Sequence, residues 1–119
     1  MEPGNRQMLE IVARRLRPED VKRSCIYWYK KTLRQGEAVR IGPQTVAMPF
    51  EGTVVFVDLA PHANWAHPCL CVLVDAKTLQ TEVIDASFPL GVEQSDADYV
   101  LLLRFGQPPR HERDFNAFD

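Results

Sequence analysis

Two segments of this chain are apolar almost without a break, and they restrict its fold more than any other feature. They are Thr53-Val54-Val55-Phe56-Val57 and Cys69-Leu70-Cys71-Val72-Leu73-Val74. Each is too short for a buried helix and rich in β-branched residues, so each reads as a strand. A strand without a polar face needs cover on both sides, which places it at the centre of a sheet.

Around this pair the sequence alternates in short runs broken by turn residues. Strands are expected near 37–41, 44–48, 53–59, 69–75, 80–85 and 98–104. The breaks fall at Gly42-Pro43, at Pro49 to Gly52, over 60–68, at Ala76 to Thr78 and over 86–97. Short connections make neighbours antiparallel, with 69–75 and 80–85 joined as a hairpin through Asp75-Ala76-Lys77-Thr78.

Before Gly36 the period is helical. Met8, Leu9, Val12 and Leu16 define a first helix over 5–16, with Asn5 as its N-cap. Pro18 opens a second over 18–34, with Glu19 and Asp20 in the first turn and Lys30, Lys31 and Arg34 towards the end. Its apolar stripe is Val21, Cys25, Trp28 and Thr32. The expected class is therefore α+β: two N-terminal helices packed on a mainly antiparallel sheet of about five to six strands. Residues 1–106 form one domain, with a basic helical part (1–36) and an acidic β part (37–106), and 107–119 form a tail. The 119 residues are 45% apolar, enough for one core without a metal or disulfide staple.

Charge divides along the same line. Residues 1–40 carry ten Lys/Arg against five Asp/Glu; residues 41–119 carry four against eleven, so +5 faces −7. The simpler meaning is basic helices beside an acidic sheet; the sharper one is nucleic-acid binding through Arg23, Tyr27, Lys30 and Arg34 on one helix face. No run of about 18 apolar residues exists, so no membrane partner is expected. Three cysteines, an odd number, and an N-terminus without an apolar signal core point to a reduced, cytoplasmic setting.

One segment invites chemistry. Residues 58–71 hold His62, His67, Cys69 and Cys71, residue types that bind zinc, but Cys-x-Cys on a strand chelates poorly. Burial of both cysteines on a core strand is the more economical reading. A thiol hydrolase would take Cys25 as nucleophile, His67 as base and Asp85 to orient it. No P-loop, dinucleotide fingerprint, HExxH or G-x-S-x-G motif occurs. Non-catalytic binding of another protein is thus the leading expectation, through the sheet, the loop residues His62, Asn64 and Trp65, or the tail residues Phe115 and Phe118. No cofactor is expected, and a homo-oligomer is compatible with the sequence.

Overall fold

The computed structural model describes residues 3–41, 44–60, 68–86 and 99–107. Helix α1 spans Asn5–Ala13 and α2 spans Pro18–Arg23; among the described residues seven strands follow, β1 Cys25–Leu33, β2 Ala38–Ile41, β3 Gln44–Ala47, β4 Gly52–Asp58, β5 Cys69–Asp75, β6 Thr81–Ala86 and β7 Tyr99–Leu103. Five of them form one sheet in the order β6-β5-β4-β1-β7, every pair antiparallel, and β2 and β3 form a separate two-stranded hairpin. The class is α+β, with a small second sheet in addition to the main one.

The two apolar runs are β4 and β5, adjacent near the middle of the sheet and buried from Thr53 to Val57 and from Cys71 to Val74. Their alternate residues serve two cores. On one side Val55, Val57, Val72 and Val74 join Ile26 and Trp28 beneath Met8, Ile11 and Val12 of α1. On the other Val54, Phe56, Cys71 and Leu73 pack with Tyr99 and Leu101 beneath Val39 and Ile41 of the β2–β3 hairpin and the neighbouring Met48. A continuous apolar strand is what a sheet between two layers requires.

The expected helix over 18–34 is corrected. It stops at Arg23 after six residues, Ser24 is extended (ψ 159°), and Cys25-Ile-Tyr-Trp-Tyr enters the sheet as β1, between β4 and β7. The acids of the first turn and Lys22 and Arg23 of the last suit a short helix as well as a long one. Beyond it, Ile26 and Trp28 face the helices while Tyr27 and Tyr29 face the hairpin. β-branched and aromatic residues fill both faces of a pleated strand, and that packing outweighs the helical spacing. The first helix also shifts: Gly4, not Asn5, takes the N-cap position, and the helix ends at Ala13.

Two carboxylates fasten the turns. Asp20, 6% exposed, accepts from Arg17 Nε at 3.1 Å and from an Arg23 guanidinium nitrogen at 2.8 Å. Asp75 Oδ1 accepts from the Lys77 and Thr78 amides at 2.8 and 3.2 Å, shaping the β5–β6 turn. The Arg17 bond, with Arg23 adding to it, lowers the Asp20 pKa despite the opposing effect of burial; backbone donors lower that of Asp75. A lowered folded-state pKa contributes stability above the ordinary carboxylate range, lost as pH falls through the folded value. Thermal melts should therefore show stability level near neutrality and falling below about pH 4. Asp20→Asn and Asp75→Asn should each lower the neutral melting temperature and flatten the acid limb.

Candidate functional site

The sheet geometry separates the residues proposed for catalysis. Cys25 pairs in register with Asp58 and Asp58 with Cys69, so these three form a row on the hairpin side at one end of the sheet. Asp85 pairs with Leu70, one position off that row, and so points to the helix side. Three strand spacings, about 14 Å, also lie between β1 and β6. The order cysteine, histidine, aspartate does not bring Cys25 and Asp85 together.

Cys25, Cys69 and Cys71 are buried and form no disulfide. Burial pushes the Cys71 thiol up to about 12, far from the range of a nucleophile. Tyr27, beside Cys25 and near Asp58, is likewise raised to about 12, chiefly by burial. Cys69 and Cys71 share one face of β5, as a strand dictates. Among the described residues no group of three or more His, Cys, Asp or Glu is gathered for a metal. His62, Asn64, Trp65, His67, Phe115 and Phe118 lie outside the described residues.

The basic face also disperses. Arg23 ends α2 and bonds Asp20, Tyr27 faces the hairpin, and Arg34 follows β1. Lys30 lies over the Trp28 ring on the helix side, with Nζ 4.0 Å from the centroid. These four residues share no face because the helix expected to align them is largely a strand.

The described concave surface lies at the other end of the sheet. A groove of about 700 Å³ runs between the α1 side (Gln7, Glu10, Ile11, Arg14, Arg15) and residues 78–81 at the start of β6. A second depression, about 350 Å³, adjoins it across Leu79 and is floored by Met8, Trp28 and Val74. Leu79 itself, at φ +62°, sits between the two.

Beside the groove lies the outer edge of β6. In an antiparallel ladder only alternate residues turn their N–H and C=O towards the partner strand. The Asp75 amide donates to the Gln80 carbonyl at 2.8 Å, which fixes the phase. Gln80, Glu82, Ile84 and Ala86 therefore face β5, and Thr81, Val83 and Asp85 face outward. The Gln44 side chain agrees with this, since its Nε2 donates to the outward Asp85 carbonyl at 3.4 Å. Among the described residues no strand pairs with this edge.

Cations are also distributed unevenly here. Arg17 and Arg23 are engaged by Asp20, whereas Arg14 and Arg15 are exposed and form no ion pair among the described residues. Sequence reasoning passed over this surface. Two acids, Glu82 and Asp85, in the short strand Thr81-Glu82-Val83-Ile84-Asp85 are the mark of an edge that the sequence carries. No family model matches the chain, and no match exists among curated proteins or solved structures.

Proposed function

We propose that the chain is a small non-catalytic protein-binding module that receives an extended segment of another protein along β6. The observation that carries this reading is the outward-facing backbone of Thr81 and Val83 on an edge that no described strand pairs, beside a groove. Strand addition takes its affinity from such main-chain groups and its selectivity from neighbouring depressions. Glu82 and Asp85, both exposed, discourage indiscriminate edge-to-edge pairing. Three buried cysteines that form no disulfide accord with a reducing, cytoplasmic setting.

Selection of a random dodecapeptide display library on the immobilised protein tests the proposal. Extended binders should emerge, and Val83→Pro should abolish their binding. Proline removes the outward N–H yet is tolerated on edge strands, and circular dichroism verifies the fold. Binders unaffected by Val83→Pro, or lost only on Trp65→Ala or on removal of residues 107–119, would place the contact elsewhere.

A further inference from the structure

The helix side of the β6 edge carries charge of opposite sign at its two ends. Thr81, Val83 and Asp85 fall on this side of the sheet by register. Asp85 is exposed, and its carboxylate has no ion-pair partner among the described residues. Four residues back, about 13 Å along the strand, Thr81 lines the groove together with the unpaired Arg14 and Arg15. Glu10 also lines the groove, and it leaves the two arginines in excess there. Glu82 pairs with Leu73 and so belongs to the hairpin side.

An antiparallel partner fits best, because antiparallel pairing is the more stable kind and β6 already pairs that way with β5. A strand laid antiparallel along β6 passes Asp85 first and Thr81 four residues later. From this we infer that the preferred partner is an extended segment of another protein with a basic side chain followed, four positions on, by an acidic one. The basic side chain meets Asp85 and the acidic one meets Arg14 and Arg15. This specificity rests on the strand-addition reading. Opposed charges at the ends then give direction and register to contacts that main-chain hydrogen bonds alone leave free to slip.

Fluorescence anisotropy with three labelled, end-capped nonapeptides of alternating threonine and valine tests the inference. One carries Lys at position 3 and Glu at position 7, one Lys and Gln, and one Gln at both. The protein is the full chain, its Arg14→Glu/Arg15→Glu variant and its Val83→Pro variant. The helix-side arginines are exposed, so the double variant leaves the packing intact.

The Lys/Glu peptide should bind about tenfold more tightly than the Gln/Gln peptide, the sum of a few exposed ion pairs. That advantage should shrink in high salt and reverse its Glu-dependent part in Arg14→Glu/Arg15→Glu. If all three peptides bind alike and Val83→Pro abolishes them all, the charge preference is overturned while strand addition stands. If none binds, or if Val83→Pro changes nothing, strand addition itself fails and the charge preference with it.

Discussion

Replacing Trp28 with alanine should lower the unfolding free energy by about 3–5 kcal/mol, the usual cost of deleting a large buried aromatic side chain. Trp28 is fully buried in the core beneath α1 and sits on β1, between β4 and β7. Its Nε1 donates to Thr53 Oγ1 at 3.2 Å, a bond between two buried side chains on neighbouring strands. Alanine removes the ring's contacts, opens a cavity and strands the Thr53 hydroxyl. A chain of this size has of order 5–15 kcal/mol in total, so the loss is a large share of it. The melting temperature should fall by roughly 15 °C or more. Trp28→Phe restores most of the volume but not the donor, and should cost about 1–2 kcal/mol. Urea unfolding followed by circular dichroism measures both, and equal values for Ala and Phe would show that the ring does not hold this core.

Gly106→Ala should cost about 2–4 kcal/mol, far more than the same change at Gly36. Both glycines have positive φ, +81° and +87°. They differ in their surroundings. A Cβ at Gly36 meets nothing within 4 Å, whereas one at Gly106 overlaps the Lys22 carbonyl at the end of α2. Gly106 also donates its amide to the Ser24 carbonyl at 3.2 Å, and Arg104 bridges Gln107 across the turn. The turn after β7 is thus locked against the junction of α2 and β1. Gly36→Ala pays the left-handed strain alone, about 1–2 kcal/mol. The difference between the two variants isolates the contact with α2; equal losses in urea unfolding would show that it is absent.

How much of this was legible in the sequence follows from where the information lies. The strands after Gly36 appear within one or two residues of their expected limits, and 69–75 is β5 without adjustment. Their marks are local: alternation, apolar runs and turn residues such as the Asp75 cap. Spacing alone predicts a helix over Cys25 to Leu33, because Val21, Cys25, Trp28 and Thr32 also fit a helical stripe. The aromatic and β-branched content of Ile26-Tyr27-Trp28-Tyr29 argues for a strand, and its place between β4 and β7 is a non-local fact.

The same holds for the site. The 58–71 segment stands out by residue type, yet its described cysteines, Cys69 and Cys71, are buried on β5. The β6 edge becomes visible only with strand order, because an edge is defined by the absence of a neighbour. Arg14 and Arg15 stand out only once Asp20 is seen to occupy Arg17 and Arg23.

Amide hydrogen exchange along β6 in the free protein tests the open edge most directly. Outward amides exchange with solvent, while amides bonded to β5 are protected by the stability of the sheet. An open edge gives an alternating pattern, with Thr81 and Val83 fast and Glu82 and Ile84 slow. Uniform protection from Thr81 to Ala86 would contradict it, because the edge would then already be covered and not free to receive a partner strand.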